Sequence, residues 1–428
     1  MSRVLVDSGI KWIGEYPDEW NLFPLRAVVE NINEKNNPIK FTNVLSLTNK
    51  LGVVPYEEKG NQGNISKEDI SQYKIAYKDT VIINSMNLKI GSVGYSNYDG
   101  CVSPVYYVLK NNKKSDIRFI NYIFQSNFQK YLSKYGKGIL EIREKISMYD
   151  VLHSYVPIPS LKEQKRIVDY LDEQCTKIDE IINDNNHEIE LLEEYKMKIL
   201  DTACLKGVDK HEFINISHYS IDKIPAGWKF QKTLGILNMP ITDGPHSTPN
   251  LINDGIPFIS ADAIKDGKID FSRKRGDISE EDYLEFSKKY IPKLHDIYMI
   301  KSGATTGKVG IVETTEKFTI WSPLAVYRVD EKKMNYKYLY YLLQTNFYQK
   351  QVQLSWSYGT QQNIGMRILE KLKVLVPPLS EQEKIVKEID NKFDKLNKSI
   401  DYRKQIIEKL EEYKKSLIYE CVTGKREV

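Results

Sequence analysis

Residues 302–309 bring two glycines, two threonines and a lysine together in one short stretch. A phosphate-binding loop needs Gly-x-x-x-x-Gly-Lys followed by Ser or Thr, so that backbone N–H groups and a hydroxyl hold a nucleotide and its Mg²⁺. Here Gly303 and Gly307 lie one residue too close together, and Val309 replaces the hydroxyl residue. The pattern therefore predicts a loop between two strands and not a nucleotide site.

A second group resembles the carboxylates and lysine of a nuclease. Asp18 follows Pro17, and residues 57–59 have the sequence Glu-Glu-Lys. The second half of the chain repeats the first, as shown below, and there Ala226 follows Pro225. The carboxylate is therefore not part of the shared frame, and we interpret Asp18 as a residue of a capped turn.

Other catalytic and metal-binding signatures are missing from the sequence. The Asn-Pro-Pro-Tyr signature of adenine methyltransferases is absent, since Pro377 and Pro378 follow Val376 and precede a predicted helix. The six histidines are scattered, and the four cysteines form neither a Cys-x-x-Cys pair nor a zinc-site spacing with histidine. We therefore expect no active site, no metal site and no cofactor in this chain.

The sequence also predicts where the protein resides. Four scattered cysteines suit a reducing cytoplasm. The N-terminus lacks an apolar signal core, and no apolar stretch reaches the length of about eighteen residues that a membrane span needs. We expect a cytoplasmic protein.

The elements that must position the loops occur twice in the chain. Residues 157–164 have the sequence Pro-Ile-Pro-Ser-Leu-Lys-Glu-Gln, and residues 377–382 have the sequence Pro-Pro-Leu-Ser-Glu-Gln. One offset of 218 residues relates Glu163 to Glu381, and the same offset relates the Glu-Glu-Tyr-Lys runs near which the two matched stretches end. Pro-x-x-Trp also occurs twice, ending at Trp20 and Trp228. The duplication therefore covers the whole chain.

Each copy carries signals for the start of a helix. The prolines exclude a helix before the start. Ser160 with Glu163, and Ser380 with Glu383, fit the Ser-x-x-Glu capping box, in which each side chain binds the backbone N–H of the other residue. The two boxes lie two residues out of step in the repeat, which allows the helix start to differ between the copies.

Both predicted helices have apolar residues in steps of three, four or seven, which is the a/d pattern of a coiled coil. Two unrelated amphipathic helices would also have apolar stripes, but the constant offset argues against this alternative. Asn185, Arg403, Lys196 and Lys414 interrupt the pattern, and polar groups at such positions weaken packing but can specify register. The apolar positions are Ile167, Leu171, Ile178, Ile182, Ile189, Leu192, Ile199 and Ala203 in the first helix, and Ile385, Ile389, Leu396, Ile400, Ile407, Leu410, Leu417 and Cys421 in the second.

Short apolar runs separated by turn residues predict strands in the two remaining segments. In the first copy they cover residues 44–47, 80–83, 93–95 and 105–108; in the second they cover 257–260, 296–300, 309–312 and 324–327. A helix is predicted over 121–132 and again over 338–354. A glycine-containing loop follows at 135–138 and at 358–362. The anchors match while the other loops differ freely, as expected for two related domains with different ligands.

The net charge of +4 does not by itself indicate a nucleic-acid partner. Its distribution is uneven: residues 21–150 contain 18 Lys and Arg against 12 Asp and Glu, and residues 229–371 contain 20 against 16. The first helix, 160–206, contains 7 against 12. Positive charge in the two loop-rich segments is expected if they contact phosphate. Differences of this size also arise by chance on solvated faces.

We predict an α/β (α+β) fold with two similar domains, separated by two long helices that pair as a coiled coil in an internal repeat. The predicted boundaries are 1–158 for the first domain, 159–207 for the first long helix, 208–377 for the second domain and 378–428 for the second long helix.

This arrangement resembles the specificity subunit of a type I restriction–modification system. The resemblance covers nearly all of the chain and rests on Trp20 and Trp228, the turns at 103–104 and 322–323 (both Ser-Pro), Gln164 and Gln382, and the two Glu-Glu-Tyr-Lys ends. Either helix motif alone would be weak, but the duplicated set is fairly specific.

The resemblance implies a non-catalytic DNA-recognition subunit. In it the two domains would be target-recognition domains, and the two long helices would be spacer helices that pair as an antiparallel coiled coil in a pseudo-two-fold internal repeat. Each recognition domain would read half of a bipartite target in double-stranded DNA, and the helices would set the spacing and dock two methyltransferase subunits. A motor-nuclease subunit would join for restriction. S-adenosylmethionine, ATP and Mg²⁺ would belong to these partners. A helix of about 45 residues is roughly 65 Å long, close to two turns of duplex.

We expect polar and basic loop residues to contact the DNA, because amide and cationic groups suit phosphates and base edges. For each of them a solvated loop position is the alternative interpretation. The predicted DNA-binding residues are Asn87, Lys89 and Lys137 in the first domain, and His246, Ser247, Thr248, Lys301, Ser302, Thr305, Lys308, Thr360, Gln361 and Gln362 in the second.

Two other functions fit the sequence less well. A coiled-coil scaffold that binds only protein is the main alternative, and it would retain no specific duplex when it is assembled with methyltransferase partners. A single-chain enzyme would need the catalytic signatures that are missing here.

Overall fold

A computed structural model describes residues 3–48, 52–60, 69–86, 92–135, 145–358 and 362–428 of the chain. The chain divides into two compact units, residues 1–186 with 403–428, and residues 187–402. Each unit contains one loop-rich segment and part of each of two long helices, Leu161–Lys206 and Leu379–Val422. The domain boundaries given above stay predictions.

The first unit is built on an antiparallel sheet with strand order β4-β11-β8-β9, and short two-stranded pairs flank it. Its strands are β1 Leu5–Asp7, β2 Glu15–Pro17, β3 Asn21–Pro24, β4 Val29–Ile32, β5 Leu45–Thr48, β6 Gly52–Pro55, β7 Lys74–Ala76, β8 Thr80–Asn84, β9 Val93–Ser96, β10 Gly100–Val102, β11 Tyr106–Asn111 and β12 Tyr155–Ile158. Its helices are α1 Ile117–Ile123, α2 Gln129–Leu132, α3 Met148–His153 and the first part of α4 Leu161–Lys206.

The second unit contains a larger sheet with strand order β16-β24-β21-β22-β19-β18 and a smaller one with order β20-β17-β23. Its strands are β13 Phe213–Asn215, β14 Lys223–Pro225, β15 Lys229–Lys232, β16 Thr242–Asp243, β17 Ile256–Ile259, β18 Ile264–Lys265, β19 Lys268–Ile269, β20 Gly276–Ile278, β21 Ile297–Ile300, β22 Val309–Ile311, β23 Thr319–Ile320, β24 Leu324–Tyr327, β25 Ser357–Tyr358, β26 Gln362–Asn363 and β27 Lys373–Val376. Its helices are α5 Glu280–Ser287, α6 Tyr336–Gln344, α7 Asn346–Leu354, α8 Met366–Leu369 and the first part of α9 Leu379–Val422.

The two sheets share a frame of four strands. The order β4-β11-β8-β9 in the first unit corresponds to β16-β24-β21-β22 in the second, and neighbours are antiparallel in both. β8, β9 and β11 in the first unit and β21, β22 and β24 in the second lie where the apolar runs predicted strands, whereas no run predicted β4 or β16. The runs at 44–47 and 257–260 form β5 and β17, which lie outside these two sheets. In the second unit β19 and β18 extend the sheet beyond β22.

The helix predicted in each half is broken in two, which corrects the expectation of continuous helices over 121–132 and 338–354. Ser126 leaves helical geometry at φ −82° and ψ −165°, and Thr345 has ψ 151°. The Ser126 hydroxyl donates to the Ile123 carbonyl at 2.6 Å, and the Thr345 hydroxyl donates to the Leu342 carbonyl at 2.6 Å. These bonds offer the backbone an alternative to the helical ladder. The break lies inside a matched Gln-Ser/Thr-Asn-Phe motif.

The starts of the long helices also differ from the prediction. α4 and α9 begin at Leu161 and Leu379, so the starts match under the offset of 218 residues. Ser380 is therefore the second residue of α9, and the predicted box with Glu383 is wrong. The Pro378 carbonyl instead accepts the N–H groups of Glu381 and Gln382 at 2.9 and 3.0 Å. Proline suits this position because its φ is preset and it has no N–H to satisfy.

The box in the first copy forms only on one side. The Ser160 hydroxyl accepts the Glu163 N–H at 3.3 Å. The Glu163 carboxylate does not return to Ser160 but pairs with the guanidinium of Arg3. A charged partner outcompetes a backbone N–H for this carboxylate.

The two long helices run antiparallel within each unit. In the first unit Lys414 pairs with Asp179 at 2.6 Å, and Arg403 donates to the Asn185 side-chain oxygen at 3.2 Å. As residue numbers rise along α9, the residues contacted in α4 have falling numbers, so the two helices run in opposite directions. In the second unit the Lys196 ammonium lies 5.3 Å from the centre of the Phe393 ring.

The apolar positions of the predicted pairing pattern face inward. Ile167, Leu171 and Ile178 belong to the core of the first unit together with Leu417 and Cys421 near the end of α9. In the second unit Ile199 and Ala203 share a core with Ile385 and Ile389. The remaining predicted positions, Ile182, Ile189, Leu192, Leu396, Ile400, Ile407 and Leu410, are buried or half-buried, and the individual pairing roles stay predictions.

Candidate nucleic-acid interface

One edge of the large sheet in the second unit gathers the predicted recognition loops. β16 and β21 end at this edge, and β22 and β24 begin there. Residues 301–308 connect β21 to β22, as the sequence predicted for the stretch that resembles a phosphate-binding loop. The Lys301 N–H donates to the Pro323 carbonyl at 2.8 Å, and the Ser322 N–H donates to the Pro245 carbonyl at 3.1 Å. The loops after β16, after β21 and before β24 are thus joined.

A fourth segment reaches the same edge. Ser302 forms a β-bridge with Asn363, and the Ile364 N–H donates to the Lys301 carbonyl at 2.9 Å. Because β25 and β26 pair as a hairpin, its second strand β26 lies beside residues 301 and 302.

The loop of residues 301–308 is closed by its own hydrogen bonds. The Gly307 N–H donates to the Ile300 carbonyl at 2.8 Å, and the Thr306 hydroxyl donates to the Gly303 carbonyl at 2.7 Å. The Gln349 amide donates to the Gly307 carbonyl at 2.9 Å. The backbone N–H groups of Thr306 and Lys308 also donate within the loop, so three of its N–H groups are not free to hold a phosphate. Thr305 and Lys308 are exposed on it.

A buried carboxylate lies at the base of this group of loops. The Asp243 side chain is fully buried. It pairs with the ammonium groups of Lys289 and of Lys301, the latter at 3.2 Å. Lys289 also donates to the Gly244 carbonyl at 2.9 Å, and the His246 ring nitrogen Nε2 lies 3.4 Å from the Asp243 carboxylate. One negative charge therefore holds two positive charges at the edge of the sheet.

The loop after Asp243 is packed tightly against β23. A Cβ atom placed on Gly244 would lie 1.9 Å from the Ile320 carbonyl oxygen, so only glycine fits there. The next loop residues, His246, Ser247 and Thr248, are exposed. The loop is thus ordered at its base and open to a ligand at its tip.

The predicted DNA-binding residues of the second domain mostly meet at this edge. His246, Ser247, Thr248, Thr305 and Lys308 are exposed, whereas Lys301 and Ser302 are half-buried. Gln362 lies in β26. Contact of these residues with DNA stays a prediction. The predicted residues Asn87, Lys89, Lys137, Thr360 and Gln361 lie outside the described residues.

The corresponding edge of the first unit has the same frame and different chemistry. The Ile146 N–H donates to the Ser85 carbonyl at 3.1 Å, as Ile364 does to Lys301 in the second unit. The strand registers place Ser85 at the position of Lys301 and Asn33 at the position of Asp243. The cluster of one carboxylate and two lysines is therefore not repeated at these positions.

Sequence reasoning missed two members of the cluster. Neither Asp243 nor Lys289 is among the predicted DNA-binding residues. Two signals are present in the sequence: Asp243 directly precedes a Gly-Pro turn, and Lys289 belongs to a lysine pair that directly follows a polar helix, α5. Neither signal indicates that residues 46 positions apart in the sequence meet.

A glutamine in each long helix binds the loop-rich segment of one unit through hydrogen bonds. Gln164 in α4 is buried, accepts the Asp116 N–H at 2.7 Å and donates to the carbonyls of Lys114 and Pro159 at 3.1 and 2.9 Å. Gln382 in α9 repeats the pattern: it accepts the Asn335 N–H at 2.7 Å and donates to the carbonyls of Lys333 and Pro377 at 3.2 and 2.8 Å. In both units these bonds fix the segment that leads into the first helix of the domain, which is α1 in the first unit and α6 in the second.

A second tie is also duplicated. Asp172 in α4 accepts the Tyr122 hydroxyl at 2.5 Å and pairs with Arg118. Asp390 in α9 accepts the Tyr341 hydroxyl and pairs with Lys337 at 2.7 Å. Burial raises the pKa of both tyrosines, so both phenols stay protonated and can donate. The domain helices are thereby oriented on the long helices.

Two other kinds of site are absent from the described residues. No three His, Cys, Asp or Glu side chains come together there as ligands for a metal ion. Among the described helices none is long and apolar enough to cross a membrane.

Comparison with known proteins places the chain in a family. The family model for the type I restriction modification DNA specificity domain matches residues 17–191 and again residues 227–412. A Methanocaldococcus jannaschii protein named as the MjaX specificity subunit of a type I restriction enzyme is 25% identical over 396 residues, which are 88% of this chain and 87% of that protein. The MjaVIII specificity subunit of the same organism is 26% identical over 297 residues, 66% of each chain.

A solved structure shares the fold. It is described as the structural basis of complex assembly and conformational transition of the type I R–M system, and the comparison covers 96% of this chain and 99% of that one. The TM-score is 0.70 at 17% sequence identity. The predicted fold class and the resemblance drawn from the duplicated motifs are confirmed. With two matches that together span most of its length, the chain belongs to the family of type I restriction modification DNA specificity proteins.

Proposed function

We propose that each recognition domain of this specificity subunit reads one half of a bipartite target in double-stranded DNA. The two long helices set the spacing of the half-sites and dock two methyltransferase subunits. A motor-nuclease subunit joins this assembly for restriction.

The observation that carries the proposal is the group of loops in the second unit. Separate segments place exposed polar and cationic side chains, among them His246, Thr305 and Lys308, at one edge of a rigid sheet. Such groups can bind phosphates and base edges. The first unit presents the same frame with other residues at matched positions, as expected if the two half-sites differ in sequence.

The proposal that the long helices set the spacing of the half-sites rests on anchoring contacts that occur in both units. Gln164 with Asp172, and Gln382 with Asp390, anchor each recognition segment to a long helix in the same way. Because the contacts are the same, the helices rather than the loops are the common element that can set a fixed spacing.

The modifying chemistry is assigned to partner subunits. S-adenosylmethionine, ATP and Mg²⁺ would bind there, since the chain lacks the adenine-methyltransferase signature and a phosphate-binding loop with the required spacing. The pure chain should not transfer methyl groups from S-adenosylmethionine to duplex DNA. Methyl transfer by the pure chain would contradict this assignment.

The proposal is tested by assembling the full chain with its methyltransferase subunits. Methylome sequencing of cells carrying the system should show one bipartite motif, and the assembly should retain a duplex with that motif over a scrambled one. An assembly that forms but retains neither duplex selectively would indicate a protein-binding scaffold instead.

A further inference from the structure

The cluster around Asp243 has a charge balance that the fold alone does not require. Lys301, whose side chain is 11% exposed, is enough to neutralise the fully buried carboxylate. Lys289 is a second cation on the same carboxylate and is 44% exposed. The edge of the sheet therefore keeps one positive charge in excess, on a side chain that solvent or a ligand can reach.

Lys289 is also held in a defined direction. Its ammonium group has three N–H donors. One binds the Asp243 carboxylate and a second binds the Gly244 carbonyl at 2.9 Å. Within the described residues no further acceptor binds this ammonium group, so the third donor can serve an acceptor from outside. A lysine that is oriented in this way loses less side-chain entropy on binding than a free surface lysine does.

Asp243 connects three segments that are distant in sequence. It ends β16, while Lys289 follows α5 and Lys301 follows β21. The exposed loop residues 246–248 begin immediately after this junction. A change at Asp243 therefore acts on the loop and on both lysines together, although the carboxylate itself is inaccessible.

We propose that Asp243 is a positioning residue of the second recognition domain, and that Lys289, which it orients, binds a phosphate of the DNA backbone at the half-site. This inference rests on the proposed function. Phosphate contacts establish the register of a protein on the duplex, and base contacts then specify the sequence. Asp243 would act on specificity without touching DNA, by holding residues 246–248 in register with the phosphate that Lys289 binds.

The first domain must achieve its register by other means, because Asn33 and Ser85 occupy the positions of Asp243 and Lys301. A defect at Asp243 should therefore be confined to one half-site. This asymmetry gives the test an internal reference.

The test uses the full chain assembled with its methyltransferase subunits and three duplexes. The first carries the target motif that methylome sequencing identifies. In the second duplex the half-site of the second domain is scrambled, and in the third the other half-site is scrambled. The variants are Asp243→Asn and Lys289→Gln. Two matched controls are available. Asp296 is a buried carboxylate paired with Arg328 at the opposite end of β21, and Lys288 is an exposed neighbour paired with Glu285. Asp296→Asn and Lys288→Gln therefore report general effects of stability and charge.

Asp243→Asn should weaken binding to the target roughly tenfold, the scale of one lost base contact. It should weaken binding to the duplex with the scrambled second half-site by clearly less, because Lys289 loses its fixed direction but keeps its charge. Lys289→Gln should weaken binding to all three duplexes, and the factor should be about the same for each duplex. It should also make the slope of log K against log salt shallower by about 0.9, the value for one phosphate contact. The controls should change neither the target preference nor the slope by comparable amounts.

The inference fails if Asp243→Asn weakens binding to all duplexes alike, or if its target preference matches that of Asp296→Asn at equal thermal stability. The phosphate assignment fails if the salt slope of Lys289→Gln equals that of Lys288→Gln. Failure of the proposed function is distinguishable, because the wild-type assembly would then show no preference among the three duplexes.

Discussion

At the residue scale, one glutamine in each half of the chain connects a long helix to its domain. It is the fourth residue of α4 in the first half and of α9 in the second. Gln164 and Gln382 are fully buried, and each satisfies one backbone N–H and two backbone carbonyls. Only a side-chain amide of this length suits the position, because the same side chain must both donate and accept hydrogen bonds there. A buried backbone group that loses its partner costs more than the net value of the bond.

Gln164→Leu and Gln382→Leu should each lower the free energy of unfolding of their unit by about 2 to 3 kcal/mol, since buried backbone groups are left without partners. Denaturant unfolding of the full chain measures the loss. Gln405→Leu on the exposed face of α9 is the control and should change stability by less than about 0.5 kcal/mol. Equal effects of all three substitutions would show that the glutamines are not structural ties.

The cysteines give a second prediction at this scale. All four are buried and unpaired as thiols. Burial raises the pKa of Cys101 to about 11 and, as the largest effect, that of Cys421 to about 12. At pH 8 the thiolate fraction of Cys101 is therefore about one part in a thousand. A thiol reagent should label the native chain slowly, and faster as the pH rises.

The labelling control is the unfolded chain, which should release four thiols per chain at once. An introduced cysteine at an exposed helix position, Ser416→Cys, should react rapidly in the native chain. Rapid labelling of any native cysteine would mean that its burial is not maintained in solution.

At the element scale, the long helices combine an apolar pairing face with a few polar positions. Asn185 and Arg403 occupy equivalent positions of the two copies and bind each other. Two copies of one helix that pair antiparallel bring equivalent positions together at a single point along their length. A buried polar pair at that point disfavours other registers, because a shift would leave both groups without their partner.

Inserting four residues after Asn185 adds about 6 Å of helix and should lengthen the spacer between the half-sites by roughly two base pairs. The insertion approximates a heptad stutter, so the pairing face should survive with local unwinding. A matched insertion near Arg403 keeps both helices in register, and the double insertion should be the more active form. The methylated motif of each form is the measurement.

The half-site sequences should stay the same in both forms, because no recognition loop is changed. An active double insertion with an unchanged spacer would rule out the helices as the ruler.

At the scale of the whole molecule, the two units share one frame and differ in their loops, and we assign different functions to the two parts. Both units share the four-strand order, the glutamine ties and the broken domain helix. They differ at the sheet edge, where Asp243 and Lys301 in one unit correspond to Asn33 and Ser85 in the other. Shared features suit a shared partner, and different edges suit different half-sites.

Replacing residues 229–371 with the matching segment of a related specificity subunit should change one half-site and leave the other intact. The exchanged segment lies within the second unit, so the sheet edge moves with its supporting strands while Gln382 and Asp390 remain. Methylome sequencing of cells with the hybrid tests this. A simultaneous change in both half-sites would contradict the assignment of one domain to each.

The sequence by itself determined the duplication, the strand anchors, the two long helices and the family resemblance. These features depend on residues that are close in sequence, because hydrophobic period, proline placement and turn residues act over a few positions. It also excluded a nucleotide loop at 302–309 by spacing alone. It did not determine the start of α9, where Pro378 displaces the expected serine cap, or the breaks at Ser126 and Thr345, where a hydroxyl competes with the helix ladder.

Only the tertiary structure decided the chemistry of the recognition edge. Asp243, Lys289 and Lys301 come from three segments, and no local pattern indicates that they meet. Burial of the carboxylate is what makes the contact specific, because a charge removed from water must find partners wherever the fold brings them. The same reason explains Gln164 and Gln382: their place in the repeat was visible in the sequence, but the backbone groups that they satisfy became identifiable only when packing removed those groups from water.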